Sequence, residues 1–219
     1  MDALPPMPLL SLSTPDIIDH CKNLADCADG RKTLFIASFP KSGTTWMQAI
    51  IYNLLSNGNQ EFNHISEYSP FFEIAPTWDF QNRATEGNIK QLYESNHIKL
   101  NWRVFNTHLR WEMMPKHPNM RYIYVVRNGK DVALSFFKHL SNQNDADCFQ
   151  GDLLDFVSKW SNGETPFGNW LHHLQSWVHA YKNQNMDGSI LLLRYQDLVA
   201  DPYSSVLKII AHLKLDVPP

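Results

Sequence analysis

The stretch FIASFPKSGTTWMQAII, residues 35–51, decides how this chain is read. An apolar strand runs into a turn of Gly, Ser and Thr, and an apolar helix leaves it, which is how a phosphate-binding loop is built. Gly43 lets the backbone turn sharply so that amides face an anion. Ser42, Thr44 and Thr45 add hydroxyl donors. The helix that starts near Thr44 offers free N–H groups at its positive end, and Lys41 adds a full charge. A plain strand-to-helix turn with a capping threonine needs neither the lysine nor so many hydroxyls. The order Lys-Ser-Gly-Thr-Thr is not the Walker A order, where the lysine follows the second of two glycines, so the motif gives no support to ATP.

Outward from this loop, KTLFIAS is a continuous apolar run, the mark of a strand buried on both faces. Three more such runs follow: WRVFNTH (102–108), RYIYVVR (121–127) and SILLLRY (189–195). Helical segments lie between and after them: TTWMQAIIYNLLSNG with Trp46, Ile50, Asn53 and Leu54 on one stripe, GKDVALSFFKHLS, DLLDFVSKWS, and NWLHHLQSWVHAYKNQ with Trp170, Leu174, Trp177, Val178 and Tyr181 on one stripe. DPYSSVLKIIAHLKL closes the chain, capped by Asp201 with Pro202 at the first helical position. Buried strands alternating with amphipathic helices predict an α/β fold with a central, mainly parallel sheet flanked by helices. A single domain over 1–219 is expected, with residues 1–14 as a loose arm, a helix after Thr14, and 59–101 as an irregular excursion suited to a substrate lid.

The composition is that of a globular protein, 43% hydrophobic and 19% charged, and the net charge of −3 argues against nucleic acid as a partner. An anion site must therefore be local. Cys21, Cys27 and Cys148 are few and odd in number, and read as free thiols in a reducing compartment. No basic n-region precedes the apolar start, and no run of about 18 apolar residues exists, so neither a secretory signal nor a membrane span is expected. The reading is a cytoplasmic protein.

Each of the four apolar strands ends on polar residues: FPKSGTTW, NTH, Arg127 followed by NGKDVALS, and RYQD. Ligands of such folds bind at the carboxyl ends of the strands, so the fold brings these endings to one edge. Arg127 is shaped to fork onto a phosphate, and Ser135 lies about two helical turns beyond it. A salt bridge is the plainer role for Arg127, and a core position the plainer role for Trp46 and Tyr195. His108 is one of ten histidines. At a strand end beside a phosphate loop it has the titration range a base needs to take a proton from a hydroxyl. His172, His173 and His179, on the long helix, read as packing or solvated groups.

FPKSGTTW resembles the 5′-phosphosulfate loop of the cytosolic sulfotransferases, whose donor is 3′-phosphoadenosine 5′-phosphosulfate. VFNTHLRWEMMP resembles that family's catalytic-histidine strand, RYIYVVRNGKDVALSFF its 3′-phosphate segment, and ILLLRYQDLVADPYSSVLKIIAHL the strand and helix that follow. The pieces span most of residues 33–215 in family order. The resemblance implies a P-loop-like sulfotransferase fold. It implies that Lys41 contacts the 5′-phosphate and bridging oxygen, that Ser42, Gly43, Thr44 and Thr45 wrap that phosphate, and that Trp46 stacks on adenine. Arg127 and Ser135 would hold the 3′-phosphate, Tyr195 would line the nucleotide site, and His108 would be the base. YSPFFEIAPTWDF resembles the acceptor-pocket segment, giving Phe71, Phe72, Trp78 and Phe80 as apolar walls for a small, hydrophobic, hydroxylated compound. The implied reaction is in-line sulfuryl transfer to a hydroxyl or amine without a metal.

Two features depart from the pattern. Asn106-Thr107-His108 stands where many members have Lys-Thr-His, so the group that would help stabilise the transferring sulfuryl is uncharged. The resemblance also stops at LKLDVPP, before the family's RKGxxGDW segment, which completes the 3′-phosphate and adenine site, and before its dimerisation segment. Three readings stand: an active sulfotransferase, a catalytically weak or inactive nucleotide-binding homologue, and a P-loop kinase. Oligomeric state stays open.

Overall fold

The structure, a computed structural model, describes residues 6–14, 16–19, 31–58, 64–74, 77, 89–144, 146–183 and 188–216. The elements run β1 (Lys32–Ser38), α1 (Thr44–Ser56), α2 (Ile89–Leu100), β2 (Trp102–Thr107), β3 (Met120–Val126), α3 (Gly129–Ser141), α4 (Leu153–Asn162), α5 (Trp170–Asn183), β4 (Ile190–Arg194), α6 (Tyr195–Ala200) and α7 (Pro202–Leu213). The strands form one sheet in the order β2-β1-β3-β4, and every pairing is parallel. The doubly buried β1 lies between β2 and β3, as its continuous apolar run predicts.

Alternation along the strands divides the core into two halves. Phe35, Phe105, Tyr122 and Tyr124 face the side covered by α3 and α5, where Val132, Phe136 and Trp177 meet them. Leu34, Ile36, Val104, Ile123 and Val125 face the other side, covered by α1 and α7 through Met47, Ile51, Ile209 and Leu213. The buried face of α1 is Met47, Gln48, Ile51 and Tyr52. The stripe expected from Trp46, Ile50, Asn53 and Leu54 is not the inner one: Trp46 and Asn53 are exposed. The α5 stripe shifts likewise, with His173, Ser176, Trp177 and Ala180 innermost and Tyr181 exposed.

The excursion expected over 59–101 contains α2, and the arm is not loose where it is described. Met7 is buried in the core, with Leu9 and Leu10 against it. The Phe167 N–H donates to the Pro8 carbonyl at 2.7 Å, and the Ser11 hydroxyl donates to Asp147 at 3.0 Å. Residues 16–19 are helical. Cys148 is a free, half-buried thiol, while Cys21 and Cys27 lie outside the described residues. Among the described residues no helix is long and apolar enough to cross a membrane.

Candidate active site

The register fixes where the polar endings meet. Thr107 pairs with Ala37, Ser38 with Val125, and Val126 with Arg194. The next residues along each strand, His108, Phe39–Gly43, Arg127 and Tyr195, therefore emerge at one edge of the sheet. Of these, Pro40, Lys41, Gly43, His108, Arg127 and Tyr195 line a cavity of about 540 Å³ together with Thr44, Thr45, Trp46, Asn106 and Ser135.

The loop after β1 turns through two left-handed residues, Lys41 at φ 66° and Gly43 at φ 106°. No side chain caps α1, so its first amides are left to a ligand. The Ser38 and Thr44 hydroxyls bond each other at 2.6 Å under the turn. Burial, and after it the Arg127 charge, lowers the Lys41 pKa, so an anion placed here would restore the ordinary affinity for its proton. Among the described residues Lys41 has no acidic partner. Arg127 donates through Nη1 to the Lys41 carbonyl at 3.0 Å, and its guanidinium lies 4.7 Å from the centre of the Tyr195 ring. Its Nε is buried with no hydrogen bond among the described residues, and Asp131 is 4.0 Å away. Trp46 is 37% exposed and meets Tyr195 edge-on at 5.7 Å, an aromatic face left to something outside the core. These residues suit an adenosine bisphosphate: donors and charge at the β1 loop, a cation and a hydroxyl at β3 and α3, and an exposed indole between.

His108 is held on every side. Its Nδ1 lies 2.8 Å from the Ser38 carbonyl. A carbonyl only accepts, so Nδ1 carries the hydrogen and Nε2 keeps the lone pair. Its backbone N–H donates to Glu73 Oε1 at 2.7 Å, and its carbonyl accepts from His173 Nε2 at 2.9 Å. Phe71 and Phe167 flank the ring at 5.2 Å and 5.1 Å between centres. Burial, with smaller repulsion from Lys41 and His139, lowers its pKa to about 4. The imidazole is thus neutral at ordinary pH, with the Nε2 lone pair unprotonated. Burial, against the bond from the His108 N–H, raises the Glu73 carboxyl to about 7.

Asn106 and Phe71 form a single parallel bridge beyond β2. One amide hydrogen of Asn106 goes to the Ser69 carbonyl at 2.7 Å, which leaves the other for the cavity. Two expected residues do not reach its wall. Phe72 is fully buried in the core, edge-on to Phe35 at 4.9 Å. The Ser42 hydroxyl is buried and without a partner among the described residues. Phe71 is half-buried at the cavity, whereas Phe72, in the turn that follows it, packs into the core. Trp78 and Phe80 lie outside the described residues. Among the described residues the apolar walls are the expected Phe71 together with Leu10, Phe136, Leu140 and Phe167, with His139 and Gln143 beside them. Glu73, His173 and Phe167 were missed in the sequence. The only signal for Glu73 was its place three residues after Pro70 in the pocket-like segment. Among the described residues no cluster of three or more His, Cys, Asp or Glu is placed to hold a metal ion.

The family model described as the sulfotransferase domain matches residues 31–218. Sulfotransferase 1E1 of Homo sapiens is 32% identical over 206 residues, covering 91% of this chain and 65% of that protein. The amine sulfotransferase of Oryctolagus cuniculus is 31% identical over 189 residues, covering 84% of this chain and 56% of that protein. The chain thus spans about two thirds or less of these relatives' length. Among solved structures, the mouse sulfotransferase SULT7A1 complexed with PAP superposes with a TM-score of 0.67 at 25% identity, over 95% of this chain and 66% of that one. Retinol dehydratase, in a complex with retinol and PAP, shares the fold with a TM-score of 0.65 at 19% identity, over 94% of this chain and 67% of that one. With its parallel sheet, its Lys-Ser-Gly-Thr-Thr loop and a model match along nearly its whole described length, the chain belongs to the sulfotransferase family.

Proposed function

We propose that this protein transfers a sulfuryl group from 3′-phosphoadenosine 5′-phosphosulfate to a hydroxyl or amine of a small hydrophobic acceptor. The observation that carries the reading is the His108 imidazole. Its Nδ1–H is spent on Ser38, and the ring lines the same cavity as Lys41, Thr44, Thr45 and Arg127. A base and a phosphate cradle facing one space suit transfer between a phosphate-borne group and a hydroxyl. When bound, the donor supplies an activated sulfuryl group on a phosphate leaving group.

His108 Nε2 takes the acceptor's proton as the acceptor oxygen or nitrogen bonds to sulfur. The β1 loop would hold the donor as its sulfuryl group is released, with the 5′-phosphate as the leaving group that retains the electron pair of the broken sulfur–oxygen bond. Lys41 and the first amides of α1 stabilise the charge growing there. Arg127 and Ser135 would hold the 3′-phosphate, and Trp46 would stack on the adenine. Phe71 and Phe167 keep water from the base and give the acceptor an apolar seat. The PAP in the mouse neighbour and the amine acceptor in the rabbit relative's name support the donor and the breadth of acceptor. The reading places the reaction in the cytoplasm.

The uncharged Asn106, half committed to Ser69, favours a second reading, a nucleotide-binding homologue with weak or no turnover. Calorimetry with 3′-phosphoadenosine 5′-phosphate, followed by an assay with donor and a panel of phenols, alcohols and amines, separates the two. Micromolar binding, weakened at least about tenfold in Lys41→Ala and Arg127→Ala, with turnover lost in His108→Ala, is expected. Binding without turnover of any acceptor supports the second reading, and no binding overturns both. Turnover that demands ATP and Mg²⁺ would identify a kinase instead.

A further inference from the structure

The carbonyl of His108 lies one residue past the last paired position of β2, where no strand supplies a donor. Its donor comes from α5, 65 residues away in sequence: His173 Nε2 at 2.9 Å. That nitrogen must carry the hydrogen, so His173 Nδ1 holds the lone pair. The Tyr124 hydroxyl, 3.0 Å from Nδ1, is then the donor of the next bond. The hydrogens run one way, from Tyr124 on β3 through His173 to His108. Ring packing holds this order in place. Tyr124 stacks on His173 at 5.7 Å and on Trp177 at 5.0 Å, and Phe39 meets His173 edge-on at 5.5 Å. Both polar side chains are buried, at 1% and 0% exposure.

We propose that Tyr124 and His173 are positioning residues for the transfer: Tyr124 fixes the tautomer of His173, and His173 fixes the peptide after His108, and with it the direction of Nε2. This role rests on His108 being the base. Burial keeps the pair uncharged, lowering His173 to about 3 and raising the Tyr124 phenol. The pair therefore orients and does not ferry protons. Ser38 holds the ring and Glu73 the peptide before His108, and His173 holds the peptide after it. A misplacement of about 1 Å in a reacting group costs up to about 100-fold in rate.

The test compares His173→Leu, His173→Gln and Tyr124→Phe with the unaltered 219-residue chain. A glutamine amide reaches the position of Nε2 and restores the donor, whereas leucine keeps only the packing. Rates are normalised to sites that bind 3′-phosphoadenosine 5′-phosphate. We expect kcat to fall about tenfold in His173→Leu and about threefold in Tyr124→Phe, with KM values within about twofold, and His173→Gln to recover most of the loss. Imidazole ¹⁵N spectra should show the Nδ1–H tautomer of His108 in every variant, since Ser38 holds that hydrogen, and ring resonances of His108 that shift in His173→Leu and return in His173→Gln. Normal kcat in His173→Leu, or equal losses in the leucine and glutamine variants, would overturn the proposal. If the chain binds nucleotide but turns nothing over, the spectra decide: unshifted His108 ring resonances in His173→Leu overturn the positioning role. If it binds no nucleotide, the functional reading fails separately, and the spectra still decide the role of His173.

Discussion

A methyl group on Gly43 would stand 2.6 Å from Cδ2 of Tyr195, and the residue sits at φ 106°, where side chains are strained. Gly43→Ala must therefore push the Tyr195 ring off the Arg127 guanidinium as well as strain the loop. We expect a loss of about 1–3 kcal/mol in unfolding free energy and at least tenfold weaker nucleotide binding. Urea denaturation and calorimetry on the same preparation check both, and unchanged binding would remove Tyr195 from the nucleotide site. His108 gives a second expectation at this scale. With its pKa lowered to about 4, the imidazole is deprotonated through the neutral range. The acid limb of kcat/KM should then fall well below pH 6.5, the ordinary histidine value. A limb near pH 6.5 would mean an imidazole in contact with water.

The helix α1, which begins at the proposed donor site, has two faces with separable roles. Met47 and Ile51 are fully buried against the sheet, whereas Trp46 is 37% exposed. Met47→Ala or Ile51→Ala should cost about 2–5 kcal/mol of stability while leaving nucleotide affinity of the folded fraction intact. Trp46→Ala should do the reverse, with little change in thermal midpoint and a clear loss of affinity. The stripe read from the sequence, Trp46, Ile50, Asn53 and Leu54, is not the face that packs on the sheet. Apolar and aromatic residues surround this helix, and periodicity cannot choose between two apolar stripes when one is reserved for a ligand. The strands were legible to within a residue or so, because a continuous run of large apolar residues has few other uses. The helix α2 was not, since IKQLYESNHIKL is mostly polar and sends Tyr93, His97 and Leu100 inward. In the site, the phosphate loop, His108 and Arg127 were legible because each follows a strand. Glu73 and His173 were not: they bind His108 across 35 and 65 residues, through backbone groups that leave no mark in composition.

At the scale of the whole molecule, buried titratable groups set the response to acid. His97, His108 and His212 are lowered to about 4 and His173 to about 3, each chiefly by burial. Unfolding frees them to bind protons below pH 6.5, so the unfolded state takes up more protons and stability falls as pH falls from 6.5 toward 4. Glu73, raised to about 7, acts oppositely: the folded state holds its proton between 4.5 and 7, so this group's contribution falls as pH rises through that window. Four groups outweigh one. The urea midpoint should therefore drop between pH 6.5 and 5, and Glu73→Gln should steepen that drop while raising stability at pH 8. A midpoint that climbs on acidification would contradict the burial of these histidines.

The strand order β2-β1-β3 has a further meaning for selectivity. Adjacent strands are about 4.8 Å apart, and the three groups of the site hang from three adjacent strands: the base from β2, the Lys41 loop from β1, Arg127 from β3. On the proposed reading the sheet acts as a caliper. A nucleotide is gauged by whether its two phosphates span one strand spacing, and the acceptor by whether its reactive atom reaches one spacing the other way. Adenosine 5′-phosphate, which touches only one jaw, should compete poorly against the 3′,5′-bisphosphate. That penalty should vanish in Arg127→Ala, where the second jaw is gone.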